Sequence, residues 1–64
     1  MQKIKILRKK LGISQFAMAE KLGISQNAFS KIELGKSELT LNRLYQVADI
    51  LEMNVLDLIQ VEEY

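Results

Sequence analysis

Gln26, Asn27, Ser30 and Lys31 fall on one stripe of any helix that contains them. All four are polar and none is acidic. Glutamine and asparagine can each make a paired contact with the N6/N7 edge of adenine, and lysine suits the O6/N7 edge of guanine. A helix face that only meets water would mix glutamate with lysine, and this one does not. The chemistry offered here is therefore hydrogen bonding to base edges. Gln15 offers a second chemistry. It stands at the first position of an expected helix, where free N–H groups and the helix dipole make an electropositive end. Its side chain can share a phosphate oxygen with those amides. Lys36 and Ser37 follow the stripe-bearing helix in a loop, where lysine and hydroxyl side chains suit phosphate. Ser25, just before that helix, is grouped with them as a phosphate-contacting candidate.

Catalytic chemistry is poorly supplied. The 64-residue chain has no cysteine and no histidine, so there is no thiolate nucleophile or metal ligand, and no imidazole base. No carboxylate pair sits in an evident cleft. The expectation is a protein that is not an enzyme and needs no metal or cofactor.

The elements that must hold these residues can be read outward from residues 15–34. Met18, Ala19 and Leu22 share one face of a helix over about 15–22, and Ala28, Phe29 and Ile32 share one face of a helix over about 26–34. Gly23 can end the first helix in a left-handed conformation, and Ser25 can cap the second. Two helices joined by so short a turn must cross steeply, which makes a helix-turn-helix unit. Leu-Gly-Ile-Ser-Gln occurs at 11–15 and again at 22–26. It is one joint used twice: glycine, apolar residue, capping serine, glutamine. In each joint the apolar residue can staple the helix start, Ile13 on Met18 and Ile24 on Phe29.

Outside this centre, residues 2–11 put Ile4, Leu7 and Leu11 on one face, and Gly12 ends that helix. Gly35 closes the third helix. Thr40 caps a fourth over about 41–52, with Leu41, Leu44, Val47, Ala48 and Leu51 buried and Leu39 as staple. Asn54 caps a short fifth over about 55–60, with Met53 as staple. No strand pattern and no linker remain, and proline is absent. The expected fold class is all-α, a single compact five-helix domain spanning residues 1–64. Its expected core is Leu7, Ile13, Met18, Ala19, Leu22, Ile24, Phe29, Ile32, Leu41, Leu44, Val47, Ala48, Leu51 and Leu58. Ile6, Phe16 and Leu34 are expected to be partly exposed.

The stretch 15–34 resembles the helix-turn-helix of the phage repressor/Cro (Xre-like) DNA-binding family. Gln15, Met18, Ala19, Leu22, Gly23, Ile24, Phe29 and Ile32 carry the likeness. It continues through Leu7 and Arg8 upstream, Ile32, Glu33, Gly35 and Lys36 downstream, and Leu44, Val47, Ala48 and Leu51 beyond. The resemblance implies a lambda-repressor-like fold with base reading from the start and middle of the third helix, and a phosphate-positioning role for Gln15. It also implies a structural, partly buried salt bridge between Arg8 and Glu33, whose acid would otherwise repel phosphate. Leu39 stands where that family commonly has proline, and Glu38 where it often has basic residues. Minor-groove contacts from this loop are therefore not expected.

Net charge is +1 but strongly sorted. Residues 1–36 carry eight basic and two acidic residues, net +6; residues 37–64 carry one basic and six acidic, net −5. The first half suits a polyanion and the second does not. No apolar run approaches the ~20 residues of a membrane span, and the basic N-terminus lacks a signal-peptide apolar core. The expected location is cytoplasmic. The apolar residues Ile50, Met53, Ile59, Val61 and Tyr64 suggest a homodimer through helices four and five and the C-terminal tail. The combined expectation is a sequence-specific transcriptional regulator of double-stranded DNA, a dimeric repressor on a palindromic operator, with no membrane contact and no small-molecule ligand. The alternative is a protein-interaction module on the same fold, antitoxin-like or an adaptor.

Overall fold

Four polar side chains start four helices. The Ser14 and Ser25 hydroxyls accept from the N–H of Ala17 (3.0 Å) and Ala28 (3.1 Å). Thr40 Oγ1 accepts from the N–H of Arg43 at 3.2 Å, and Asn54 Oδ1 from that of Leu56 at 2.8 Å. Each bond satisfies one of the N–H groups that a helix start leaves without an internal partner. The computed structural model describes residues 1–59. They form α1 (Gln2–Lys10), α2 (Gln15–Leu22), α3 (Gln26–Glu33), α4 (Leu41–Ile50) and α5 (Val55–Ile59). No strand occurs among the described residues.

The helix exits share a second device. At Gly12 the backbone is left-handed, its N–H donates to the Lys9 carbonyl, and the next N–H, of Ile13, donates to the Arg8 carbonyl. The same pair of bonds recurs at Gly23 and at Gly35. This is the Schellman arrangement, which ties up carbonyls left free at a helix end. The end of α4 is built identically without glycine. Glu52 takes φ 55°, donates to the Asp49 carbonyl, and leaves Met53 to donate to Ala48. That fourth left-handed residue was not expected.

The core is one cluster: Ile4, Met18, Ala19, Leu22, Phe29, Ile32, Leu44, Val47, Ala48, Leu51 and Leu58. α3 packs chiefly on α2, α4 lies against α2 and α5, and α1 lies against α3. The residues before the caps, Ile13, Ile24, Leu39 and Met53, pack against this cluster while staying half-buried.

Four corrections to the expected core and to the expected apolar face of α1 follow. Leu41 is 65% exposed rather than buried. It opens α4, and Leu39 already covers the core at that end. Leu11 is also exposed, because α1 stops at Lys10 and the chain turns away at Gly12. Leu7, Ile13 and Ile24 are half-buried and flank the core. Ile4 is fully buried and replaces Leu7 as the apolar anchor of α1. The buried face of α1 runs through Ile4 and Arg8, four residues apart, so Leu7 lies to one side. Ile6, Phe16 and Leu34 are exposed, as expected. Helices four and five stop at Ile50 and Ile59 within the described residues. Val61 and Tyr64 of the suggested self-association surface lie outside them.

Candidate nucleic-acid interface

Phe29 and Ile32 face inward from α3, and this decides what faces outward. Gln26, Asn27 and Lys31 are exposed and Ser30 is half-buried. Gln26, Asn27 and Ser30 line an open depression together with Gln15 from the start of α2. The fold thus brings the phosphate candidate of α2 beside three of the four base-reading candidates of α3. The two N-termini sit in one patch, each with N–H groups that have no partner further back in their own helix. Lys36 is exposed just after α3. The Ser25 hydroxyl is committed as acceptor to its helix cap and keeps its own hydrogen for another partner.

Ser37 lies elsewhere. It lines a separate hollow with Ile24, Ala28, Ile32, Glu38, Thr40 and Arg43, between α3 and the start of α4. The structure does not group it with Gln15, Gln26, Asn27 and Ser30.

Beneath the interface lies a buried polar network. Arg8 Nε donates to Glu33 Oε2 at 2.6 Å, and Arg8 Nη2 donates to Glu33 Oε1 at 3.3 Å. The side chains are only 7% and 2% exposed. Arg8 Nη1 donates to the Ile13 carbonyl at 2.7 Å, which ties the pair to the first joint. Gln15 Nε2 donates to Glu33 Oε1 at 2.7 Å. Among the described residues no buried side-chain nitrogen or oxygen lacks a partner. This completeness matters, because an uncompensated buried charge would be strongly destabilising. Burial alone would raise the Glu33 carboxyl. The hydrogen bonds from Arg8 and Gln15, with the charges of Arg8 and Lys5, outweigh it and hold the group below the usual carboxylate range. Glu33 is therefore a carboxylate at neutral pH, and its charge is spent inside the fold.

Three further contacts hold this platform and were not read from the sequence. Arg43 Nη1 donates to the Leu22 carbonyl, the last of α2, at 3.0 Å, and to Gln46 Oε1 at 3.0 Å. The signal available was that Arg43 is the single basic residue of an otherwise acidic half. The Met1 amino group donates to the Ile32 and Glu33 carbonyls, at the end of α3, where a cation complements the helix dipole. Lys3 Nζ donates to the Asp57 carbonyl at 2.6 Å and joins α1 to α5. Apart from Gln46, their acceptors are backbone carbonyls, which residue patterning does not display.

Two short helices, a capped glycine turn, a small Ala19 against the core and an outward polar face on the second helix together define a helix-turn-helix. The helix-turn-helix family model of the Cro/C1, Xre-like type matches residues 4–58. The chain belongs to this family. The match spans all but the first two residues of α1 and all but the last of α5, so it takes in the whole five-helix arrangement. Membership carries a DNA-binding, regulatory kind of function rather than an enzymatic one. No curated protein and no solved structure matches the chain. Among the described residues there is no acidic cluster able to hold a metal ion, and no helix is long and apolar enough to cross a membrane.

Proposed function

We propose that the chain is a sequence-specific transcriptional regulator that acts in the cytoplasm as a homodimeric repressor on a palindromic operator. Its mechanism is occlusion: bound DNA overlapping a promoter is closed to polymerase. The observation that carries this reading is the outward face of α3, polar and free of acid, set beside the start of α2 in one depression. Gln26, Asn27, Ser30 and Lys31 read base edges. Gln15, Ser25, Lys36 and Ser37 hold the phosphate backbone, Ser37 from the loop side. The Arg8–Glu33 pair keeps the one acid of α3 from repelling the duplex. Residues 1–36, net +6, supply the attraction.

Reading and positioning rest on different physics, and one titration series separates them. Asn27→Ala is expected to cost roughly 1–3 kcal/mol per half-site on the preferred duplex and little on a random one. Lys36→Ala is expected to weaken both duplexes alike and flatten the salt dependence by about one unit of slope, since one fewer counterion is released. The preferred duplex is first selected from a random library. Equal weakening of both duplexes by Asn27→Ala would remove α3 from the reading role. A protein-interaction module would show no salt-sensitive shift of duplex DNA at all.

A further inference from the structure

Glu33 is too deeply buried to touch DNA, yet it controls a group that lies in the interface. Its carboxylate has only acceptors to offer. Gln15 approaches Glu33 Oε1 through Nε2 at 2.7 Å. Turning that amide over would set the Gln15 carbonyl oxygen against the carboxylate, two acceptors with no hydrogen between them. The amide of Gln15 is therefore held one way round. Its Nε2 keeps one hydrogen for Glu33 and has one to spare, its Oε1 is kept off the carboxylate, and the residue lines the depression shared with Gln26, Asn27 and Ser30. Arg8 fixes Glu33 in turn, from Nε and Nη2, and is itself fixed by the Ile13 carbonyl. The chain of contacts runs from the α1–α2 joint through a buried ion pair to the Gln15 amide.

We infer that Glu33 is a positioning residue for sequence discrimination, acting through Gln15, whose fixed carbonyl oxygen sets the hydrogen-bonding pattern met by the base-reading side chains of α3. This rests on α3 being the DNA-reading helix and adds to it a residue that touches no DNA. In this arrangement the spare N–H of Gln15 serves phosphate and affects all duplexes alike. The Gln15 Oε1 serves discrimination. It accepts from a neighbouring amide or hydroxyl, or from a base amino group, and so constrains which bases the depression accepts.

The test is a double-mutant cycle between Gln15→Met and Glu33→Gln, read as the ratio of affinities for the selected and a random duplex. Gln15→Met keeps the length of the side chain and removes both polar atoms. Glu33→Gln keeps the shape but offers Gln15 a donor as well as an acceptor, so the orientation of the Gln15 amide is no longer enforced. Each single variant is expected to lower the ratio roughly five- to tenfold per half-site, the scale of one hydrogen bond away from water. In the Gln15→Met background, Glu33→Gln is expected to lower the ratio no further, because its effect passes through Gln15. A purely structural Glu33 would instead act with full effect in both backgrounds, and that result overturns the proposal. So does a Gln15→Met variant that weakens both duplexes equally, which would leave Gln15 a phosphate contact only. If Glu33→Gln does not fold, as judged by thermal melting, the cycle is run with Glu33→Asp, which keeps the charge beside Arg8 but draws the carboxylate back from Gln15: a lowered ratio that disappears in the Gln15→Met background upholds the proposal, and an equal effect in both backgrounds overturns it. Wild-type protein with no preference among duplexes would overturn the reading role of α3 itself, an outcome visible before any variant is made.

Discussion

Glu52 is the one non-glycine residue with positive φ among the described residues. It makes the same two-bond exit as Gly12, Gly23 and Gly35 while carrying a Cβ that disfavours this conformation. Its side chain is exposed, so little is lost by removing it. Glu52→Gly is expected to raise stability by about 0.5–1 kcal/mol, the balance of relieved strain against the added freedom of the unfolded chain. Thermal melting checks this, and a lower midpoint would show that Glu52 makes a compensating contact. The same residue marks a limit of reading from sequence. Glycine and serine announce their joints by type, and the joints at 11–15 and 22–26 were legible for that reason. A glutamate in the left-handed region has no such signature, and only the preceding apolar periodicity and the following asparagine cap mark the end of α4.

At the level of helices, α2 packs chiefly on α3, and Ala19 of α2 is 2% exposed within the core. Ala19→Leu would add three carbons where neighbouring side chains already fill the space. It is expected to cost roughly 1–3 kcal/mol through overpacking. An unchanged melting temperature would mean that the two helices do not pack tightly there. Helix identity and order were legible because caps, staples and the apolar period agree at the starts of α2, α3, α4 and α5. The overhang of each helix was not. Leu41 and Leu11 keep the period of a buried face, yet each lies at the end of its helix with nothing beyond to cover it. Periodicity states which side of a helix faces inward but not how far the neighbouring helices extend along it. The site divides in the same way. The outward stripe of α3 followed from residue types, whereas the hold of Glu33 on Gln15 depends on a distance between residues 18 apart in sequence.

On the scale of the whole molecule, residues 1–36 are net +6 and residues 37–64 net −5, so on the proposed reading the first half is expected to face DNA and the second a partner copy. Leu41 and Tyr45 on α4, and Leu56 and Ile59 on α5, are large exposed apolar side chains in that half. One recognition helix reads only a few base pairs, so two copies placed ~34 Å apart, one helical turn of DNA, are needed for useful specificity. Sedimentation is expected to show dimers on the selected duplex. Tyr45→Glu and Leu56→Glu are expected to shift the complex toward monomer and lower affinity for the palindrome more than for a single half-site. Monomer alone, both free and on DNA, would refute the two-fold arrangement.

The Arg8–Glu33 pair also bears on alignment. The two residues are 25 positions apart, and their pairing requires α1 to lie on α3 in one particular placement. Displaced by one residue along its axis, α1 would bring Leu7 or Lys9 to the carboxylate. Leu7 would leave a buried charge with no partner, and Lys9 could not reproduce the two-nitrogen grip. Buried ion pairs contribute little net stability compared with well-packed apolar side chains, because both ions must leave water. What this one supplies is a penalty on every wrong docking of the first helix, so that an otherwise greasy contact through Ile4 has a single correct position.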